Sequence, residues 1–199
     1  YDVRTVIDTM CDEGSVLEIR RAFGAGMVTC LARIEGKPLG IVANNPTHLA
    51  GAIDRNLAIG TVVRVEEEHL FELGAEDNDR FLTFGEIGLE VTDHISPIRS
   101  QIDFPSPEIL SVKGITVNTV HGSAASIEAM RLRTDASVET MEGAAVFHAC
   151  NRLGVPAVQF RAISNFVEPR NRAAWDIPAA LTALADAVSS FVQSLPEHA

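Results

Sequence analysis

The chain has little with which to cross-link, chelate metal or grip a polyanion. Its three cysteines, Cys11, Cys30 and Cys150, are odd in number and show no CxxC spacing. That argues against a disulfide framework or a zinc site and fits reduced thiols in a cytoplasm. Basic residues are few: 16 Lys and Arg stand against 27 Asp and Glu, and the formal charge of −11 repels nucleic acid and anionic membrane alike. No apolar run is long enough to span a bilayer and no secretory leader is visible, while the chain opens at Tyr1 without an initiator Met, as a fragment would. A GK[ST] phosphate loop and a GxSxG elbow are both missing. His121 and His148 lack ligand spacing with Asp, Glu or Cys, so no metal or other cofactor is expected. His148 and Cys150 read as packing residues on a helix face.

What remains is an ordinary globular mixture: 199 residues, 46% hydrophobic and 22% charged. One sizeable domain of that length buries roughly 70% of its unfolded surface. Residues 2–12 carry Val3, Val6, Ile7 and Met10 at helical spacing, and Gly14 ends the run. "SVLEI", "MVTCLARI" and "PLGIVAN" read as strands, the last two joined across "EGK" as a hairpin. "TVVRVEEEHLF" is a strand whose "EEE" reads as a solvated edge, and residues 72–110 read as loop-rich. From Gly114 strands and helices alternate: "GITVNTV", a helix over 123–133, "SVETM", "GAAVFHACNRLG" closed by Gly154, "PAVQFRAIS", and a helix over 177–194 capped by Asp176 with Pro178 in its first turn. The alternation predicts an α/β fold, with a mostly parallel or mixed central sheet flanked by helices.

Met141–Glu142 and Ser164–Asn165 fall at two strand ends, where such sheets gather ligands. Glu142 has a plain structural reading: Thr140 caps the following helix and Glu142 sits in its first turn, favourable to the helix dipole. It also has a functional one, because a carboxylate in so apolar a seam needs donors, such as ligand hydroxyls. Asn165 reads either as a turn residue or as a ligand group. Thr119, Ser123 and Ser126 follow a strand end as ligand contacts or helix caps, and Arg170, Arg172 and Trp175 lie in the loop after Asn165 as pocket cover or plain surface.

The stretch "VETMEGAAVFHACNRLGVPAVQFRAISN" resembles the nucleoside phosphorylase and nucleosidase superfamily, through Met-Glu opening a small-residue helix and "VP…RAIS" leading into Asn, with Glu142 and Asn165 23 positions apart. "SNFVEPRNRAAWDIPAAL", "DRNLAIGTVVRV", "ELGAEDNDRFLTFGEIGL" and "GITVNTVHGSAA" are similar, within it, to the futalosine hydrolases, over about Gly51 to Ser194. The resemblance implies an N-ribosyl hydrolase that releases hypoxanthine from futalosine in menaquinone biosynthesis, in the cytoplasm, as a homo-oligomer. It implies Glu142 and Asn165 as catalytic residues, with Met141, Glu142, Asn165 and Thr119 on the purine nucleoside. Asn165 stands where adenine-specific nucleosidases carry Asp, which favours a 6-oxopurine: an amide can donate as well as accept, so it can pair with the N7 and O6 acceptor edge. The alternatives are a 6-oxopurine nucleoside phosphorylase and an inactive purine-binding fusion.

The first fifty residues depart from that pattern. Their helix, strand and "ARIEGKPLGIVANNP" hairpin resemble the carboxyltransferase subunit of biotin-dependent acyl-CoA carboxylases. The chain therefore divides into a carboxyltransferase-like segment, 1–50, and a nucleosidase-like domain, 51–199, joined near Ala50 to Asp54. An acyl-CoA carboxyltransferase fragment is the last of the alternatives. The graft replaces the first strands of a nucleosidase and the acid that orients its water. Asp2, Asp8, Asp12, Glu13, Glu18 and Glu35 have no matched position, and none is assigned as a base. A general base contributes about 10²–10⁴-fold, so an impaired enzyme or incomplete fold is one expectation.

Overall fold

A computed structural model describes residues 2–22, 26–44, 51–89, 98–100 and 109–195. The chain opens on helix α1 (Val3–Met10), whose Val3 and Ile7 face inward and whose Asp2 side chain accepts from the Arg4 N–H. An antiparallel meander follows: β1 (Leu17–Ile19), β2 (Met27–Ile34) and β3 (Lys37–Asn44). The β2–β3 hairpin is the expected one. Glu35 and Gly36 both take positive φ (50° and 78°), the pattern of a two-residue turn that matches strand twist, and the Asp12 carboxylate accepts both their N–H groups at 2.9 Å. The alternating pattern of β2 puts Val28, Cys30, Ala32 and Ile34 on the buried side. There Val28 and Cys30 pack with Val3 and Ile7.

The larger sheet has six strands. Its spine is β5 (Val62–Leu70), flanked by parallel β9 (Leu110–Thr116); β10 (Val138–Thr140) adds parallel to β9, and β4 (Gly51–Ala52) antiparallel to β10. On the other edge of β5 lie β8 (Ile98–Arg99) and β11 (Gln159–Ala162), both antiparallel. The sheet is thus mixed. Just past β11, Phe166 bridges to Ala52 of β4, so the chain that leaves one edge returns alongside the other. Val63, Val65, Val112, Val138, Ala52, Leu57 and Ile163 fill the curve so enclosed. A small hairpin, β6 (Gly74–Asp77) and β7 (Arg80–Thr83), gives structure to part of the stretch read as loop.

Helix α2 (Ala124–Arg131) covers one face through Ile127 and Met130, and α3 (Gly143–Leu153) covers another through Ala144 and Phe147. Helix α4 (Ile177–Ser194) spans the residues expected, with Asp176 accepting from the Ala179 N–H. It also receives the N-terminal segment: Ile34 packs against Phe191 and Val192, while Lys37 Nζ donates to the carbonyls of Val192 and Leu195 at 2.7 and 2.8 Å. A lysine on the unpaired carbonyls of a helix end is favourable in both hydrogen bonding and dipole terms. The join expected near Ala50 to Asp54 falls partly outside the described residues, which resume at Gly51.

Two expectations need correction. The strand expected from Gly114 begins at Leu110 and places Gly114 in its interior. A Cβ at Gly114 would sit 2.8 Å from Glu68 Oε1, so the strand needs glycine there to let that carboxylate approach. The "EEE" run is no solvated edge either. Glu66 is exposed, but Glu67 is 5% and Glu68 0% exposed, at a register shift between Val65 and Glu67.

Candidate functional site

Glu142 ends the turn between β10 and α3. It occupies the cap position of α3, yet its side chain makes no capping bond. Thr140, read as the cap, is fully buried in β10, and its hydroxyl accepts from the Gly143 N–H at 3.3 Å while the Thr116 hydroxyl accepts from Ala144 N–H at 2.9 Å. Two threonines therefore satisfy the start of the helix and leave the Glu142 carboxylate for something else. Its Oε1 accepts from Asn44 Nδ2, at the end of β3, at 2.9 Å. Its Oε2 is buried and has no hydrogen-bond partner among the described residues, and the same holds for Asn44 Oδ1. Buried acceptors without donors are costly and uncommon in native structures.

Asn165 is 6% exposed in the turn after β11. Its Oδ1 accepts from Ser164 Oγ at 2.8 Å and its Nδ2 donates to the Phe166 carbonyl at 3.2 Å, which fixes the amide plane. A Cβ at Gly51 would meet Asn165 Nδ2 at 2.6 Å, so β4 starts with the residue that admits the amide. Gly51 pairs with Glu139 of β10, whose chain runs on to Met141 and Glu142. The two loops approach through the closure of the sheet and not as adjacent ends of parallel strands, because β11 runs against β5. Met141 is half-buried beside Glu142, and Thr119 is exposed in the turn between β9 and α2. Ser123 and Ser126 form a reciprocal capping box on α2, the cap reading of that pair. Arg172 lies over the Trp175 ring, 5.6 Å from its centroid, in the exposed loop ahead of α4.

Beneath the site lies a polar layer the sequence did not disclose. Glu68 accepts from Gln159 Nε2 at 2.7 Å, Thr116 Oγ1 at 2.9 Å and Thr140 Oγ1 at 3.2 Å. Burial pushes its carboxyl above the usual range, against the pull of those donors and of Arg161. The same two threonine hydroxyls thus link Glu68 to the N–H groups that open α3, next to Glu142. Nearby, Glu139 accepts from the His121 N–H at 3.1 Å and pairs with His121 Nδ1, whose ring meets Phe71 edge-on. Glu67 pairs with His69 Nε2 at 2.7 Å and with Arg99. One signal was available: side chains alternate faces along a strand, so a run of three glutamates in a strand covered by helices must aim at least one inward.

Four of the six N-terminal acids have structural partners. Asp2 caps α1, Glu18 holds Arg4, Asp12 holds the β2–β3 turn, and Glu35 accepts from Gln193 Nε2 at 2.8 Å. No group of three or more His, Cys, Asp or Glu among the described residues could hold a metal ion, and no described helix is long and apolar enough to cross a membrane.

The mixed, closed sheet with a carboxylate at the mouth of β10 defines a class. A family model described as the phosphorylase superfamily matches residues 47–195, and the chain belongs to that superfamily. Within it, the chain is 34% identical over 166 residues to the futalosine hydrolase of Streptomyces coelicolor (81% of this chain, 69% of that protein), and 34% identical over 145 residues to that of Thermus thermophilus (70% and 64%). The chain thus spans about two thirds of the length of these curated relatives, and 62% of a third, from Acidothermus cellulolyticus. Among solved structures, a mutant of futalosine hydrolase from Helicobacter pylori superposes with a TM-score of 0.71 at 16% identity, covering 97% of this chain and 94% of that one. A methylthioadenosine/S-adenosylhomocysteine nucleosidase of the same organism, solved with an immucillin, gives 0.70 at 16% over the same shares, a likeness of fold. A carboxyl transferase domain model matches residues 1–67. There the chain is 43% identical over 56 residues to the methylmalonyl-CoA carboxyltransferase 12S subunit of Propionibacterium freudenreichii, which is 28% of this chain and 11% of that protein. The sequence is a chimera of the two patterns, as the motifs implied.

Proposed function

We propose that the chain is an N-ribosyl hydrolase that releases hypoxanthine from futalosine. Its relatives among the futalosine hydrolases and its nucleosidase-like fold support the class. The observation that carries the reading is the Glu142 carboxylate: free of any capping duty, held by Asn44 at Oε1, and with its Oε2 buried and without a donor among the described residues. Ribose hydroxyls supply such donors. Breaking the N-ribosidic bond builds positive charge on the sugar and negative charge on the departing purine. A carboxylate gripping the hydroxyls favours the oxocarbenium-like state electrostatically, and Met141 packs on the sugar face. Asn165 turns its amide to the N7 and O6 edge and stabilises the leaving purine by hydrogen bonding. Thr119 contributes a further contact to the nucleoside. Water supplies the oxygen that ends on the anomeric carbon, and the proton it gives up balances the purine anion.

The finer assignments follow the resemblance. They are hypoxanthine as product, a place in menaquinone biosynthesis, action in the cytoplasm without cofactor, nucleic-acid or membrane partner, self-association, and a division into a carboxyltransferase-like segment 1–50 and a nucleosidase-like domain 51–199. Purine release with and without inorganic phosphate tests the reaction type. Phosphate-independent release with a free sugar product supports hydrolysis, whereas a strict phosphate requirement and a sugar phosphate product would replace it with a phosphorylase.

A further inference from the structure

We propose that Asn44, the last residue of β3, is a substrate-positioning residue that completes the diol grip of Glu142. The inference rests on the reading of Glu142 as the ribose-binding carboxylate. One hydrogen bond, Asn44 Nδ2 to Glu142 Oε1 at 2.9 Å, joins an amide and a carboxylate edge to edge. It leaves Asn44 Oδ1 and Glu142 Oε2, the second atom of each group, both buried and both without a donor among the described residues. Two acceptors flanking one bond specify their ligand. A phosphate or carboxylate brings no donors and is repelled, and a single hydroxyl satisfies only one atom. A neutral vicinal diol donates two hydrogens from adjacent carbons, one to each oxygen. Nδ2 at Oε1 also prevents the carboxylate from rotating, so the free oxygen is preset for the diol.

Asn44 lies in the segment matched by the carboxyl transferase model and outside the 47–195 match to the phosphorylase superfamily. The grip is therefore assembled across both parts of the chimera. The register of β3 against β2 holds from Lys37, clamped on the end of α4, through Asn44, paired with Met27. This ladder carries the tie at α4 to the mouth of α3.

The test compares the unaltered chain with Asn44→Ala and Asn44→Asp, in hypoxanthine release from futalosine and in competition by inosine, 2′-deoxyinosine and 3′-deoxyinosine. Loss of one hydrogen bond to the sugar predicts a rise of about tenfold in KM for futalosine in Asn44→Ala. The preference for inosine over the deoxy analogue that lacks the hydroxyl accepted by Asn44 should collapse toward one in the same variant, while the preference over the other analogue persists. A merely structural asparagine would weaken all three competitors equally. Asn44→Asp keeps the shape but sets two carboxylates face to face. Its activity should fall as pH rises above the carboxylate range and recover as pH falls, and it carries the test if Asn44→Ala does not fold. An unchanged inosine preference over both deoxy analogues in a folded variant would overturn the role of Asn44 and leave the hydrolase reading intact. If the unaltered chain neither releases hypoxanthine nor binds inosine, the hydrolase reading fails and takes this inference with it.

Discussion

Glu142 keeps one carboxylate oxygen without a donor among the described residues, while the Asn165 amide is held in place by Ser164 and the Phe166 carbonyl. The threonines at 116 and 140 satisfy the first amides of α3, so the Glu142 carboxylate is spare and half-held by Asn44. Glu142→Gln, which keeps the shape and removes the charge, should lower kcat/KM for futalosine by about 10²–10³. Steady-state release of hypoxanthine checks it, and a loss under threefold would contradict the electrostatic role. Asn165→Asp removes the donor that suits O6 beside an N7 acceptor, so it should lose about tenfold or more on futalosine while gaining on adenine nucleosides. Both positions stand out in the sequence because each follows a strand within a recognisable motif. Asn44 was not, since its role depends on a contact between segments 98 positions apart.

Within the strands, the buried acid Glu68 shapes its neighbours. Gly114 and Gly143 both face it, and a Cβ at Gly143 would sit 2.1 Å from its Oε1. Gly143→Ala should therefore destabilise the fold by about 1–3 kcal/mol despite the better helix propensity of alanine, read by chemical denaturation. Glu68 also predicts a pH dependence. Burial raises its carboxyl in the folded state, so the native chain holds the proton more tightly than the unfolded one. Stability from this group is full below the ordinary carboxylate value and is lost as pH rises through the raised one. Glu68→Gln stays neutral, so its stability relative to the unaltered chain should improve as pH rises through that window. Parallel curves would refute the assignment. The helices and the β2–β3 hairpin were readable from periodicity, turn residues and caps, as in α4 with Asp176 and Pro178, whereas the β6–β7 hairpin was read as loop. The burial of "EEE" was missed because charge alone says surface, although strand alternation in a helix-covered sheet already turns at least one of the three inward.

At the scale of the molecule, the grafted segment is tied into the rest by Lys37 on the end of α4, Ile34 against Phe191 and Val192, and Asn44 at Glu142. Ile34→Ala, at the centre of that contact, should cost about 2–5 kcal/mol and shift a single cooperative transition. Two separated transitions would show that the segment folds apart. The two-part origin was legible in the motifs, but the docking was not, because each part's pattern describes only its own sheet. The most direct measurement is hypoxanthine release from futalosine by the unaltered chain beside Glu142→Ala, without phosphate. Steady release that Glu142→Ala abolishes is the predicted result. No release from the folded, soluble chain, or equal release from both, would contradict it.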